Sequence, residues 1–341
     1  MYYKYSSSNV KIQNEHIILM AKALQINNVG SKRMKALYFD GISPIYMEDY
    51  KKPTITKGHS LIKVLLCAIC NTDREVIRGY RPDFRGVLGH EFVGIVEDSD
   101  DETLIGKRVV GELNEGCGDC IYCKTGREKH CLTRKVIGME GLDGTFAEYF
   151  VLANHLIHVV PDSLPTKKAI YVEPLAAALE IPNQIHLAPE HNVAIIGDGR
   201  LALMIAQVVS LYGVDLTIIG KHEDKLKLFE ALGKTKHNEG DTYEIVIDAT
   251  GSPSGIELAK NIVRKKGTIV LKSTYAGVIQ IDLSYFVVNE ITIVGSRCGP
   301  FEPALNLLNR SMVRLPNIEL FELKDYEKAF YSKAFKTGFQ F

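Results

Sequence analysis

The sequence lacks several features that would assign it to a specialised class of protein. Its 41 Lys and Arg residues balance 41 Asp and Glu residues, so no net charge attracts nucleic acid or an anionic membrane. No apolar run reaches the roughly 18 residues that a membrane-spanning helix needs. Seven cysteines in 341 residues are too few for a disulfide scaffold. We therefore expect a cytoplasmic protein that binds neither nucleic acid nor a membrane.

What remains is the composition of an ordinary globular protein. Hydrophobic residues make up 46% and charged residues 24%, and 341 residues suffice for two domains with separate cores. The first 33 residues hold a Ser-rich patch, Ser6–Ser8, and a short apolar run, His16–Leu24, without the features of a secretory signal. We interpret residues 1–33 as a disordered N-terminal extension and expect the fold to begin at Met34.

Two patterns of secondary structure follow one another along the chain. Short β segments from Met34 to about Val160 predict a barrel-like β domain. After His191, strands alternate with helices, which predicts a parallel, doubly wound sheet. The segments predicted there are Val193–Ile196 (strand), Leu201–Leu211 (helix), Leu216–Ile219 (strand), Glu223–Leu232 (helix), Glu244–Asp248 (strand), Ser254–Val263 (helix), Thr268–Leu271 (strand) and Ile291–Val294 (strand). Beyond Gly299 we expect no further βα unit and a return to the first domain.

A glycine-rich turn follows the first of these strands. Gly197-Asp198-Gly199-Arg200-Leu201-Ala202 fits the pattern G-x-G-x-x-G/A, and it lies between an apolar strand and a helix, the context that makes the pattern informative. Gly197 permits the tight turn, Gly199 lets the backbone approach a pyrophosphate, and Ala202 keeps helix and strand close. The helix N-terminus supplies N–H donors to phosphates. The turn predicts a dinucleotide site, the alternative being an ordinary strand–helix turn.

The end of the next strand bears on the choice between NAD and NADP. An acid there, about 20 residues beyond the glycine turn, would hold a hydroxyl of the adenosine ribose. Gly220 occupies this position and is followed by Lys221 and His222. Without a carboxylate a 2′-phosphate is not repelled, and Lys221 can pair with it. The sequence therefore favours NADP, although Glu223 and Asp224 are close and Lys221 could be a solvated loop lysine.

Four cysteines are spaced for a metal site. Cys117, Cys120, Cys123 and Cys131 follow the pattern Cys-x2-Cys-x2-Cys-x7-Cys. Four thiolates complete a tetrahedral shell around zinc and leave no open position for a substrate, which is the chemistry of a structural site. An iron–sulfur cluster or redox-active thiols are the alternatives.

A second, looser set of residues has the chemistry of a catalytic metal site. It consists of Cys70, His90 and Glu173, with Glu91 beside His90. A catalytic zinc needs about three protein ligands and an open position, and a thiolate, an imidazole and a carboxylate meet that need. Taken separately, Cys70 could be a core thiol, His90 a core histidine and Glu173 a carboxylate at a helix start.

Together these segments resemble the zinc-containing medium-chain dehydrogenase/reductase family, which includes alcohol, sorbitol, threonine and glucose dehydrogenases. The resemblance runs from Met34 to about residue 335. Six segments carry it by their order and spacing: Cys70-Asn71-Thr72-Asp73, Gly89-His90-Glu91, the four cysteines, Glu173-Pro174-Leu175, the glycine turn and Gly295-Ser296-Arg297. The run from Cys70 to Glu75 is closest to the glucose, polyol and threonine branches.

The resemblance implies a fold of two domains. A GroES-like β-barrel catalytic domain would comprise residues 34–176 and 299–341, with a structural zinc lobe at residues 113–133. A doubly wound Rossmann domain, residues 177–298, would bind the cofactor, and the active site would lie in the cleft between the two. Members are usually dimers or tetramers, so a homodimer or homotetramer is expected.

The resemblance also implies roles for individual residues. Cys70 and His90 match the two constant ligands of a catalytic zinc, and either Glu91 or Glu173 would be the third. Thr72 matches the hydroxyl that takes the substrate proton. Asp73 matches the carboxylate that orients the ligand histidine. The four cysteines would hold a second, structural zinc: Cys117, Cys120, Cys123 and Cys131. The residues expected at the cofactor are Gly197, Gly199, Ala202, Gly220, Lys221, His222 and Ser296.

Two positions depart from the family pattern. Asn71 stands where Gly or Arg is usual. Glu75 occupies a position that in several members is a histidine completing the proton relay to solvent. The resemblance therefore implies the start of a relay at Thr72 and leaves its outer part unassigned.

These features predict a zinc-dependent, NAD(P)-linked dehydrogenase. It would transfer a hydride between an alcohol (a sugar, polyol or secondary alcohol) and NADP(H), and its partner would be a small alcohol or carbonyl compound. One alternative is a zinc-free quinone or enone reductase on the same fold, which needs neither the Cys70–His90 pair nor the four cysteines. Another is a non-catalytic, NADPH-binding regulatory protein.

Overall fold

The computed structural model describes residues 33–236, 241–272, 274 and 278–341. The predicted N-terminal extension lies outside this part of the chain, apart from Arg33. Its strands are β1 Arg33–Phe39, β2 Pro44–Lys51, β3 His59–Ala68, β4 Gly86–Val87, β5 Glu91–Ser99, β6 Arg108–Gly111, β7 Asn114–Glu115, β8 Lys135–Ile137, β9 Gly141–Leu142, β10 Tyr149–Ala153, β11 Ile157–Val159, β12 Asn192–Ile196, β13 Asp215–Ile219, β14 Lys234–Lys236, β15 Tyr243–Asp248, β16 Val263–Leu271, β17 Thr292–Gly295, β18 Ile318–Phe321 and β19 Lys336–Gln340.

The helices are fewer and mostly belong to the second half of the chain. They are α1 Asn71–Glu75, α2 Ile121–Lys124, α3 Thr166–Ala169, α4 Val172–Gln184, α5 Arg200–Ser210, α6 Glu223–Leu226, α7 Pro253–Ile262, α8 Leu283–Val288, α9 Phe301–Asn309 and α10 Tyr326–Tyr331. Single 3-10 turns cover Glu102–Leu104, Glu128–His130, Asn154–Leu156 and Leu323–Asp325, and a π-helical turn covers Val76–Tyr80. Among the described residues no helix is both long and apolar enough to cross a membrane.

A seven-stranded sheet forms most of the β-rich part, in the order β11-β6-β5-β3-β19-β18, with β10 also paired to β3. The first half of β3 pairs with β10 and its last residues pair with β19 on the same side, while β5 pairs along the other side. Two strands of this sheet lead to predicted site residues: β5 begins at Glu91, and β3 ends just before Cys70. Two smaller, three-stranded sheets, β2-β1-β4 and β7-β8-β9, accompany it.

The second sheet has six strands in the order β14-β13-β12-β15-β16-β17, and all of its pairs are parallel. Residues 193–196 of β12 are at most 3% exposed, as expected for a parallel strand that helices cover on both faces. Helix α5 is buried from Ala202 to Val209. This burial explains why apolar side chains occur on nearly every side of the helix. This sheet confirms the predicted doubly wound architecture.

Two predicted segments differ from the structure. The predicted helix Glu223–Leu232 is helical only to Leu226, and beyond it Phe229 N–H donates to Leu226 O, an i to i−3 bond that tightens the chain into turns. The expectation of no further βα unit beyond Gly299 is wrong, because β18 and β19 are parallel and α10 connects them. Strand β18 is only partly buried and four residues long, so its apolar pattern was too weak to read.

The return of the chain to the β-rich part is confirmed by β19, which pairs antiparallel with β3. Helix α4 runs without interruption through the predicted domain boundary at residues 176 and 177, and it packs on α5 and α9. One buried cluster joins Leu66, Val93 and Val110 of the seven-stranded sheet to residues of the parallel sheet. The two sheets therefore share a continuous core beneath the region where the predicted site residues lie.

Candidate active site

The glycine turn leads from β12 into α5. Gly197 has φ +122°, and a Cβ built on it would lie 2.8 Å from Ala249 O, so only glycine fits the turn. Gly199 is the N-cap of α5, and a Cβ built on it would meet nothing within 4 Å. Ala202 is fully buried against the sheet. An open space above the first N–H groups of an 11-residue helix fits a pyrophosphate.

The other predicted cofactor residues lie at the same edge of the parallel sheet. Gly220 directly follows β13, and Ser296 directly follows β17. Because all six strands run parallel, their carboxyl ends meet at the edge that carries the glycine turn. The side chains of Lys221 and His222 are exposed at this edge. The structure thus brings the predicted cofactor residues to one crevice.

A carboxylate that the sequence reasoning did not use also lies at this edge. Asp198, the second residue of the glycine turn, is 8% exposed. Its Oδ2 accepts the N–H groups of Lys221 (2.7 Å) and His222 (2.8 Å) and lies 2.9 Å from His222 Nδ1. The end of β13 therefore has an acid beside it, although residue 220 is glycine.

Cys70, His90 and Glu91 come together at the ends of β3 and β5. One potential ligand atom from each lies within 4.8 Å of the others. Cys70 is the N-cap of α1, and its N–H donates to Asp73 Oδ2 at 2.7 Å, which fixes the turn that presents the sulfur. His90 and Glu91 are 3% and 1% exposed. A thiolate, an imidazole and a carboxylate at this spacing form a donor set that fits zinc.

Asp73 orients the imidazole of His90. Its Oδ1 lies 3.1 Å from His90 Nδ1, and the carboxylate is fully buried. With Nδ1–H donating to Asp73, Nε2 is left to face a metal ion. Burial alone would lower the pKa of His90, but the Asp73 carboxylate and the Cys70 thiol raise it well above its usual range. A metal ion would have to displace a proton from this ring.

The two candidate third ligands differ in position. Glu91 belongs to the cluster, but its Oε2 accepts a hydrogen bond from Lys336 Nζ, and both side chains are buried. Glu173, in the first turn of α4, is outside the group of atoms that lie within 4.8 Å of one another. Burial and the neighbouring Glu91 carboxylate raise the pKa of Glu173, although His90 opposes this shift. The carboxyl group of Glu173, on helix α4, therefore interacts electrostatically with His90 and Glu91 of the cluster.

Thr72 lies beside the cluster and Glu75 is directed elsewhere. The Oγ1 of Thr72 is 3.6 Å from Cys70 Sγ, in hydrogen-bond range for sulfur. Glu75 Oε1 accepts from Arg78 Nη1 at 2.7 Å, which gives this carboxylate a partner one helical turn away. The hydroxyl predicted to take the substrate proton is thus at the cluster.

The cluster and the glycine turn are directly connected. Arg200, the first residue of α5, donates from Nη1 to Ile69 O at 3.1 Å, immediately before Cys70. A Cβ built on Gly251, beyond β15, would lie 3.9 Å from Asn71 Nδ2. Burial and the positive charge of Arg200 lower the pKa of Arg74. The Nη1 of Arg74 is buried without a hydrogen-bond partner among the described residues. The positive charges of Arg74 and Arg200 would favour an anionic ligand here.

Four sulfurs form the second group of metal-ligating atoms. Those of Cys117, Cys120, Cys123 and Cys131 lie within 4.8 Å of one another. Backbone N–H groups point at them, Cys117 N–H at Cys131 Sγ (3.3 Å) and Cys120 N–H at Cys117 Sγ (3.4 Å). Backbone donors lower the pKa of Cys120 to about 6. A set of four thiols, part of it already favouring thiolate, fits a closed tetrahedral zinc site.

Sequence reasoning missed Lys336 and Lys272. Lys336 is 2% exposed at the start of β19, and its place in the Phe-rich segment 335–341 was the available signal, since a buried lysine needs a partner. Lys272 follows β16 and donates from Nζ to Arg297 O (2.6 Å) and Ser296 Oγ (3.1 Å), joining two strand ends at the cofactor edge. Burial lowers the pKa of Lys272 to about 8. Asp198 was visible in the sequence only as a variable position of the glycine pattern.

Comparison with known proteins agrees with this arrangement. Residues 56–162 match the family model of the alcohol dehydrogenase GroES-like domain. A sorbitol dehydrogenase of Halalkalibacterium halodurans is 28% identical over 326 residues, which cover 87% of this chain and 94% of that protein. These matches confirm the resemblance to the zinc-containing medium-chain dehydrogenases/reductases that was inferred from the sequence.

Two solved structures extend the similarity to the whole fold. One is a zinc-binding dehydrogenase from Sinorhizobium meliloti bound to NADP, with a TM-score of 0.82, 22% identity and coverage of 91% of this chain and 99% of that one. The other is an alcohol dehydrogenase from Escherichia coli in complex with NADH, with a TM-score of 0.83, 23% identity and coverage of 92% and 100%. The GroES-like and Rossmann architecture predicted from the sequence is confirmed.

Proposed function

We propose that this protein belongs to the zinc-containing medium-chain dehydrogenase/reductase family and is a zinc-dependent oxidoreductase that transfers a hydride between an alcohol and a nicotinamide dinucleotide. One observation carries the proposal: the hydrogen bond from Arg200 to Ile69 O joins the glycine turn to the chain that presents Cys70. A metal-ligating cluster and a dinucleotide turn in contact place an electrophile and a hydride acceptor in one cleft.

Each residue of the cluster has a defined part in this proposal. Cys70 and His90 hold the ion, and Asp73 fixes the ring of His90 through Nδ1. Either Glu91 or Glu173 completes the set, Glu91 being the one that lies within 4.8 Å of the other donors. When bound, zinc supplies Lewis acidity toward the substrate oxygen and the nicotinamide ring accepts the hydride.

Thr72 is the proposed proton acceptor. Its Oγ1 lies 3.6 Å from Cys70 Sγ, so a substrate oxygen near the cluster is within reach of its hydroxyl. The paired state of Glu75 supports an exit for the proton that does not involve this carboxylate. Solvent or a hydroxyl of the bound cofactor can carry the proton outward.

The proposed substrates are alcohols of the sugar, polyol or secondary-alcohol class, together with the matching carbonyl compounds. The relative from Halalkalibacterium halodurans is named a sorbitol dehydrogenase, so polyols are the first compounds to test. The two metal-ligating groups argue against a zinc-free reductase on the same fold, which has no use for either. The cluster and Thr72 likewise disfavour a purely regulatory NADPH-binding protein.

Cofactor choice and metal content are finer parts of the proposal. Lys221 and His222 favour NADP(H) in the sequence, and the carboxylate of Asp198 bears on the same choice from the structure. Two zinc ions per chain are proposed, one at Cys70, His90 and a glutamate and one at the four-cysteine lobe. None of the seven cysteines, all of them in the described part of the chain, forms a disulfide, which supports a reducing, cytoplasmic location.

A homo-oligomer with contacts at one edge of the parallel sheet is also proposed. Strand β17 is the last strand of that sheet, and Ile293 on it is 41% exposed. On the neighbouring α8, Leu283, Val287 and Val288 are 66%, 76% and 79% exposed. An exposed strand edge beside apolar side chains is suited to pairing with a second copy. The division into domains at residues 34–176 with 299–341 and 177–298 remains part of the proposal.

The matched variants Cys70→Ser and Cys120→Ser test the two metal sites against each other. Each should lower the zinc content measured by mass spectrometry from two ions per chain to one. Cys70→Ser should abolish alcohol-dependent reduction of NAD(P) while leaving dinucleotide binding and thermal stability near those of the wild type. Cys120→Ser should chiefly lower the thermal stability, because a structural zinc contributes directly to folding.

The reverse pattern would contradict the assignment. If Cys70→Ser retained full turnover, the cluster would not be catalytic. If the purified wild type held a single zinc ion, the proposal of two zinc sites would be refuted. If Cys120→Ser left the stability unaltered, the structural site would be refuted.

A further inference from the structure

The carboxylate of Asp198 lies where a side chain of residue 220 would otherwise project. A Cβ built on Gly220 would be 2.8 Å from Asp198 Cβ and 3.0 Å from Asp198 Oδ2. Two side chains cannot share this space, so the buried carboxylate of Asp198 fits here only because residue 220 is glycine. An acid is thus present at the end of β13, supplied by the glycine turn of the neighbouring strand.

The two oxygens of this carboxylate are not equally engaged. Oδ2 meets three donors, the N–H groups of Lys221 and His222 and the ring of His222, at 2.7–2.9 Å. For Oδ1, the described part of the chain offers Lys225 Nζ at 3.9 Å, beyond hydrogen-bond distance. Oδ1 therefore keeps its capacity to accept hydrogen bonds from a ligand.

The carboxylate is also held in its charged form. Burial would raise the pKa of Asp198, but the backbone and ring donors of His222 and the N–H of Lys221 lower it overall. Lys225 Nζ lies 3.9 Å from Oδ1, so the charge of this lysine is already partly compensated by the carboxylate. A second anion bound at this edge of the sheet would therefore be repelled by the carboxylate of Asp198.

We infer that Asp198 accepts a hydroxyl of the adenosine ribose and directs the site toward NAD(H) and against NADP(H). The inference rests on the proposed function, since it assumes that the crevice binds a dinucleotide. A charged carboxylate accepts hydrogen bonds from a ribose diol and repels a 2′-phosphate. The N–H groups of residues 221 and 222, which would otherwise be donors for that phosphate, are occupied by Oδ2. This inference reverses the preference predicted from Gly220 and Lys221.

The test is a comparison of binding constants rather than of turnover. Fluorescence titrations should give the wild type a Kd for NADPH at least tenfold above its Kd for NADH. Asp198→Asn keeps an oxygen for the N–H groups but removes the charge, and the ratio of the two constants should fall at least tenfold. Asp224→Asn is the matched control, because Asp224 is exposed in the first turn of the nearby helix α6 and the same charge is removed, and its ratio should equal that of the wild type.

Several outcomes would overturn the inference. If the wild type binds NADPH as tightly as NADH, the inference about Asp198 is refuted while the proposed function is unaffected. This measurement tests the inference even if Asp198→Asn does not fold. A folded Asp198→Asn protein with an unchanged ratio would assign Asp198 a purely structural role. Failure of both dinucleotides to bind would sink the proposed function as well. Gly220→Asp is unsuitable as a test, because its Cβ would lie 2.7 Å from Leu226 Cδ2 and 2.8 Å from Asp198 Cβ.

Discussion

Replacing Lys336 by Met should destabilise the protein more than the loss of any ordinary surface ion pair. Lys336 and Glu91 are 2% and 1% exposed in their side chains, so neither charge is solvated once its partner is removed. Breaking a buried pair by removing one partner costs about 3–5 kcal/mol, because an uncompensated charge stays buried. For 341 residues the unfolding entropy is about 0.7 kcal/mol/K, so this cost corresponds to a fall in Tm of about 4–7 °C.

Differential scanning calorimetry on the zinc-loaded protein measures this effect, with Lys234→Met as its control. Lys234 pairs with Asp215 at 2.7 Å, but the two side chains are 63% and 50% exposed, and such pairs contribute about 0–1 kcal/mol. The double variant Glu91→Gln/Lys336→Met should recover part of the loss, because it leaves no unpaired charge.

Metal ions sharpen the prediction. Glu91 lies in the cluster with Cys70 and His90, so a bound cation would take over part of the role of Lys336. The Tm deficit of Lys336→Met should therefore be larger after zinc removal than with zinc bound. A deficit no greater than that of Lys234→Met under both conditions would refute the reasoning.

Two further predictions concern other parts of the molecule. His158 lies 3.0 Å from Glu112 and 3.1 Å from Glu302. Burial lowers its pKa, but these two carboxylates raise it overall. Its contribution to stability is therefore fully present below the unfolded-state pKa of about 6.5 and is lost as the pH rises through the higher folded-state pKa. The Tm advantage of the wild type over His158→Gln should accordingly shrink between pH 6 and pH 9, and an advantage that grew with pH would contradict this. Ile293→Asp should convert the proposed oligomer to a monomer of 38.0 kDa in light scattering, and an unchanged mass would remove β17 from the interface.

Local patterns sufficed for the parallel sheet and for the four-cysteine group, whereas Cys70, His90 and the glutamates were brought together only by the family resemblance. The spacing of Cys117, Cys120, Cys123 and Cys131 requires nearness, since at most seven residues separate successive sulfurs. The inner strands β12, β13 and β15 are largely buried, so each reads as an apolar run and was predicted with small differences in its ends, whereas the edge strand β14, Lys-Thr-Lys, was not predicted. The glycine turn was readable because Gly197 adopts a backbone conformation that other residues rarely take.

What the sequence by itself determined, then, was which chemical groups exist and which close neighbours they have along the chain. Only the tertiary structure decided which distant groups meet: Lys336 is 245 positions from Glu91, and Asp198 is 23 positions from the N–H of Lys221 that it accepts. The physical reason is that pairing across a sheet depends on register and strand order, which no local pattern encodes. The sequence showed correctly that residue 220 has no carboxylate. It could not show that the carboxylate of Asp198, from the turn after the adjacent strand, lies at the same place.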